Sequence, residues 1–225
     1  MKTIDLTHPM SPGMPVYPGT EPPTFETVCT IENSGFAEKK MNLYSHTGTH
    51  MDAPAHIIGG AKTLDSLPVE HFIGPGIVIN LNSPAKRVLD IEDLKSYEKS
   101  IEKSEFVLLH TGWDRLWGKD AYFKDYPALS SRAAEWMGQF GLKGIGVDMI
   151  SVDEAGNSDF SIHKIFLNLN IVIIENLTNL GELLHTDFIF SCLPLKTEEA
   201  DGSPVRAVAF TPPPFSDSGG QKLRG

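Results

Sequence analysis

The sequence predicts an α/β fold: a single domain built on a mixed, partly parallel central sheet. Three observations predict it. First, four short apolar runs, rich in β-branched residues, recur at 76–81 (GIVINL), 105–112 (EFVLLHTG), 144–149 (GIGVDM) and 170–177 (NIVIIENL). Each has the length of a strand buried on both faces and is too short for a buried helix. Second, segments with helical spacing lie between these runs, and that alternation implies parallel crossovers. Third, the N- and C-terminal portions are β-rich and loopy, which argues against a clean doubly wound sheet.

The elements follow in order. Residues 9–23, PMSPGMPVYPGTEPP, cannot donate enough backbone hydrogen bonds for a sheet interior and read as a loop. A helix is expected over 89–100 (LDIEDLKSYEKS), with Asp90 as its N-cap. Another is expected over 129–141, where Ala133, Trp136, Met137 and Phe140 share a face and Gly141 ends the helix. SIHKIFLNL, 161–169, opens a third helix. Residues 210–225 (FTPPPFSDSGGQKLRG) read as an extended tail that packs on a partner subunit through Phe210 or Phe215.

Composition bounds the function. With 225 residues, 40% hydrophobic and 21% charged, a single domain spanning 1–225 can bury its core without disulfides. The net charge of −10 repels a phosphate backbone, so no nucleic acid partner is expected. The longest apolar run is too short to span a bilayer and the N-terminus has no apolar signal region, so no membrane partner and a cytoplasmic location are expected. Cys29 and Cys192 read as two reduced thiols, and the NLT at Asn176 as a chance sequon.

The chemistry concentrates in SHTGTHMDAPAHIIGG, 45–60, where positions 46, 50, 52 and 56 are His, His, Asp and His. On an extended chain all four point to one face, but His46 and His50 would then stand about 13 Å apart. Metal–imidazole bonds are about 2.0–2.1 Å, so a shared ion requires a bend, and Gly48 permits one. Thr47, Gly48, Thr49 and Pro54 disfavour a helix. The segment therefore reads as a kinked loop gathering His46, His50 and Asp52 around a cation, with His56 free for another role. Further ligands must come from elsewhere. His163 opens a helix, and Glu175 ends the apolar run NIVIIE, where a carboxylate is costly unless paired, coordinated or reaching solvent.

Other residues admit two readings. Trp113 and Trp117 either face an aromatic substrate or pack in the core, the commoner fate. Asp114 and Arg115 read as an ion pair or a helix start. Asp148 and Asp153 either line a site or cap the next turn, and His8 reads as packing. There is no GxSxG elbow, no phosphate-binding glycine loop and no cue for an activated cysteine.

HTGTHMDAPAH resembles the H-x-G-T-H-x-D-x-P-x-H signature of the cyclase-like metal-dependent hydrolases, among which bacterial kynurenine formamidases (arylformamidases) are best understood. DLTHPMSPGMPVYPG, LLHTGWDRLWG, YFKDYPALS, GIGVDMISVD, HKIFLNLNIVIIENL and LPLKTEEADGSPVRAVA extend the resemblance over nearly the whole chain. It implies a swivelling β/β/α-type domain, a homodimer or homotetramer, and two divalent ions, Zn2+ or Mn2+. By position, His46, His50 and Asp52 would hold the first ion and His163 the second, with Asp52 and Glu175 bridging. His56 takes the catalytic acid/base position, with a pKa expected near neutrality. Tyr17 falls where the formamidases have a substrate-lining tryptophan. The implied activity is hydrolysis of a small aryl amide, N-formyl-L-kynurenine, by a metal-activated water. The Tyr17 departure keeps open an isatin hydrolase-like cyclic-amide hydrolase or a cyclase. A non-catalytic metal-binding protein is the remaining alternative, and it would have no need of His56.

Overall fold

The structure is a computed structural model describing residues 1–83 and 86–212; Phe215 and the expected tail beyond Pro212 lie outside the described residues. In chain order the first strands are β1 (Lys2–Asp5), β2 (Thr24–Cys29), β3 (Glu38–Asn42), β4 (His50–Asp52), β5 (Ile73–Asn80) and β6 (Val88–Leu89). They continue as β7 (Phe106–His110), β8 (Ala128–Leu129), β9 (Gly144–Val147), β10 (Val172–Glu175), β11 (Phe188–Ser191), β12 (Gly202–Pro204) and β13 (Val208–Thr211).

Nine of these strands form one curled sheet in the order β1-β13-β11-β5-β7-β9-β10-β4-β12. β5, β7, β9 and β10 are mutually parallel, and they are the four apolar runs legible in the sequence. Antiparallel pairings extend the sheet on both sides, β10 to β4 and β5 to β11. The domain is therefore mixed α/β, as expected. Phe210 lies in β13 opposite Thr3 and Ile189, so the chain up to Thr211 is sheet and not the start of a tail.

β7, β9 and β10 are buried on both faces, and β5 is buried at Val78 and Ile79, which is why they read as continuous apolar runs. Val107, Leu109, Ile145, Val147 and Ile173 enter one core; Phe106, Leu108, Val172 and Ile174 enter the other. On the second face Gly144 and Gly146 leave room for bulky neighbours. A Cβ at Gly144 would stand 2.9 Å from the Phe106 ring, and one at Gly146 2.5 Å from Leu108.

The helices in chain order are α1 (Ile31–Ser34), α2 (Ile91–Leu94), α3 (Glu98–Ile101), α4 (Ser131–Met137) and α5 (Ser161–Asn168), and α4 and α5 roof the first core. α4 runs on as a 3-10 turn, Gly138–Phe140, and Gly141 ends that turn in the left-handed region at φ 66°, at the stop the sequence predicts. The expected helix over 89–100 is instead two short α-helical turns, Ile91–Leu94 and Glu98–Ile101, joined by a 3-10 turn. Asp90 does cap it, in a reciprocal box with Asp93. Residues 9–23 form no helix or strand, and β2 and β3 pair as a separate, exposed ribbon. Among the described residues no helix is long and apolar enough to cross a membrane.

Candidate functional site

The loop expected over 46–52 bends where predicted but is shorter. Gly48 sits at φ 70°, a conformation glycine adopts without cost, and the chain then enters the sheet as β4. β4 lies between β10 and β12, with His50 paired to Glu175 on one side and Asp52 paired to Gly202 on the other. His50 and Asp52 point to one face because they are two residues apart in a strand, and register brings Glu175 to the same face. Pro54–His56 then forms a 3-10 turn that carries His56 back over the cluster. His163 arrives from the first turn of α5.

Asn176 fixes this arrangement. It is 1% exposed, and its backbone at φ 58° suits Asn. Its amide donates to the Gly48 carbonyl at 2.8 Å, and its side-chain oxygen accepts from the Tyr122 hydroxyl at 2.7 Å. The sequon is thus built into the core.

The resulting geometry is compact. His50 Nε2 lies 3.3 Å from Asp52 Oδ1 and 3.5 Å from Glu175 Oε2. His163 Nε2 lies 3.5 Å from Asp52 Oδ2 and 3.5 Å from Glu175 Oε1. Each carboxylate therefore turns one oxygen to each histidine. Around a tetrahedral ion with bonds of about 2.1 Å, neighbouring ligand atoms stand about 3.4 Å apart. The spacing fits two adjacent cation positions. His46 Nδ1 joins the His50 side, 2.7 Å from Asp52 Oδ1. His56 lies against His46 with ring centroids 3.9 Å apart and the rings tilted by 36°, and its ring lies 6.2 Å from that of His163.

Electrostatics support the same reading. Burial would raise the pKa of Asp52, but hydrogen bonds with His163, His46 and His50 hold it well below the usual carboxylate range. Burial pulls the histidines down, yet His46 is raised to about 9 by Asp52 and Asp201, and His163 to about 12 by Asp153, Asp52 and Glu175. Buried carboxylates demand positive charge, which protons supply when ions do not. His56 differs. Burial, helped by the charges of His46 and His163, pushes it down to about 4, below the near-neutral value expected from the sequence.

The cluster opens into a cavity of about 450 Å³ at the C-terminal ends of β9 and β10, where α/β sheets place their ligands. Tyr17, Tyr44, Ile150 and Phe160 supply its apolar wall, so Tyr17 does reach the site. A larger cavity of about 780 Å³ lies by the start of β5; Phe210 lines it, but none of the predicted site residues does.

Several open readings now close. Trp113 and Trp117 pack against the first core, and His8 stacks on Trp117 with ring centroids 4.1 Å apart. Asp114 and Arg115 lie in the 3-10 turn Trp113–Leu116, the helix start among their two readings, and Asp114 accepts from Thr178 and Asn179. Asp148 caps the turn at Thr111 and Gly112. Asp153 caps the first turn of α5 and also bonds the His163 ring at 2.5 Å. Cys29 and Cys192 are both free thiols.

Asp201 was not singled out from the sequence. It precedes β12 and places Oδ2 3.1 Å from His46 Nε2 and 4.0 Å from His56 Nδ1. No local pattern marks it, because its role follows from β12 pairing with β4. Tyr44 and Phe160, which also line the cavity, were missed as well.

The chain is similar to proteins of known family over most of its length. The family model "Putative cyclase" matches residues 4–154. Kynurenine formamidase of Bacillus mycoides (strain KBAB4) is 34% identical over 216 residues, covering 92% of this chain and 98% of the relative. Among solved structures, an isatin hydrolase bound to the product analogue thioisatinate superposes with a TM-score of 0.85 at 25% identity, covering 94% of this chain and 93% of that one. A predicted metal-dependent hydrolase from Bacillus stearothermophilus superposes with a TM-score of 0.77 at 26% identity, covering 92% and 97%. On the match over more than half its length and the formamidase identity over nearly all of it, the chain belongs to the cyclase family and is a hydrolase of that family.

Proposed function

We propose that the chain hydrolyses a small aryl amide, N-formyl-L-kynurenine, to L-kynurenine and formate. In this reading His46, His50 and Asp52 would hold one divalent ion and His163 the other, with Asp52 and Glu175 shared between them. The observation that carries it is the pairing of two Nε2 atoms with separate oxygens of the same two carboxylates, beside a cavity with an aromatic wall. His/Asp/Glu ligation suits zinc first and manganese second. Exposed Val28, Ile31, Phe36 and Met41 around the β2–β3 ribbon offer a face for assembly as a homodimer or homotetramer.

Bound ions would bring the pKa of a water near neutrality and polarise the substrate carbonyl. The remaining steps belong to the protein. Tyr17, Tyr44 and Phe160 hold the aryl ring and exclude water from that side. His56, neutral at pH 7, takes the proton of the attacking water as its oxygen bonds the formyl carbon. It returns that proton to the aryl nitrogen as the C–N bond breaks and the amine leaves.

The test is turnover of N-formyl-L-kynurenine by protein of known metal content, followed as kynurenine absorbance. Steady release of kynurenine supports the reading; its absence in fully loaded protein rejects the substrate. A cyclic amide of the isatin type is the second reading, favoured by the overlap with isatin hydrolase and by Tyr17 standing where the formamidases have tryptophan.

The raised histidines give a pH prediction. At pH 7 His46 and His163 carry protons that an ion must displace, so affinity rises with pH, up to about tenfold per unit for each proton released. Titration calorimetry in buffers of different ionisation heat should show at least one proton released per chain. Equal heats in all buffers would contradict the assignment of these histidines as ligands.

A further inference from the structure

Each of the three histidines around Asp52 and Glu175 turns one ring nitrogen inward and has the other held by an outer oxygen. His50 donates from Nδ1 to the Gly48 carbonyl at 2.8 Å, leaving Nε2 for the carboxylates. His163 is bonded through Nδ1 to Asp153 Oδ2 at 2.5 Å, again leaving Nε2 inward. His46 is reversed. Its Nε2 is held by Asp201 Oδ2 at 3.1 Å, and Nδ1 faces Asp52 at 2.7 Å. An outer acceptor fixes which nitrogen carries the proton and how far the ring can turn, and loss of such a partner typically weakens metal binding about 10–100-fold.

We infer that Asp153 and Asp201 are positioning residues that tune the two ion positions separately, Asp153 through His163 and Asp201 through His46. This rests on the proposed two-ion site and goes beyond it by assigning each position its own outer carboxylate. The backbone makes the separation possible. Asp153 is anchored by the amides of Ile162 and His163 at the start of α5. Asp201 is anchored across the sheet, its carbonyl accepting from the Ala53 amide at 2.9 Å. Neither carboxylate bonds the other's histidine. Gly202, next to Asp201, completes the arrangement: a Cβ there would lie 2.4 Å from His46 Cε1, so only glycine admits the ring in this orientation.

The experiment is zinc binding to the full chain, measured by competition with a chromophoric chelator and by ion content after gel filtration. Thermal unfolding of each variant serves as the check on folding. Asp153→Asn and Asp201→Asn are each expected to weaken one of the two ions about 10–100-fold while the other is retained, and the double variant to weaken both. Asp201→Glu, which keeps a carboxylate, is expected to recover most of the loss. The readout that a merely structural role would not move is non-additivity. Asp153→Asn is expected to add nothing to His163→Ala, and Asp201→Asn nothing to His46→Ala, whereas the crossed pairs should add. Wild-type affinity in both single variants, or additivity in the matched pairs, would overturn the inference while leaving the two-ion reading intact. Wild-type protein that takes up fewer than two ions would overturn that reading and this inference with it.

Discussion

Asp52→Asn is expected to empty the centre and abolish hydrolysis while the chain stays folded. The substitution keeps the shape, but it turns one acceptor oxygen into an amide donor and removes the charge that His46, His50 and His163 all face. Asp52 is 1% exposed, so solvent cannot replace that charge. It also offers one oxygen to each proposed ion position, so both should be weakened together. Losing the charge stabilisation that the ions give the reacting carbonyl should cost at least about a thousandfold in turnover, the upper range for removing one such stabilising group. Metal analysis of the purified variant and turnover at saturating substrate test this. Two retained ions with activity within tenfold of wild type would refute the bridging role.

His56→Ala should separate chemistry from ion binding. His56 lies against His46 and His163 at ring distances of 3.9 and 6.2 Å and has no carboxylate within hydrogen-bonding range, Asp201 being 4.0 Å away. Its removal should leave ion content and substrate KM near wild type and lower kcat by about a hundredfold to ten-thousandfold, the range for general acid–base groups. Metal content, KM and kcat measured on one preparation decide it. An unchanged kcat in metal-loaded protein would remove His56 from proton transfer, and loss of ions would make it a ligand instead.

The elements whose identity depends on local pattern were legible in the sequence. β7, β9 and β10, with the buried centre of β5, showed as apolar runs because a strand buried on both faces carries no polar alternation. Asp90 and Gly141 showed as helix boundaries because capping is a property of a few consecutive residues. The helix over 89–100 was less regular than its pattern, because the spacing that buries Leu94 and Ile101 is met by two short turns joined by a 3-10 segment.

The site divides along the same line. By itself the sequence determined that His46, His50, Asp52 and His56 form one cluster and that the chain must bend at Gly48, because ligand spacing and a glycine's freedom are local facts. It could not place β4 inside the sheet, since a three-residue strand carries too little periodicity to read. Only the tertiary structure decided that His50 pairs with Glu175 and Asp52 with Gly202. Those two pairings bring together residues 125 and 150 positions apart in the chain, and with them Asp201 behind His46. Strand register sets such contacts through backbone hydrogen bonds made late in the chain's path, and no window of the sequence contains both partners.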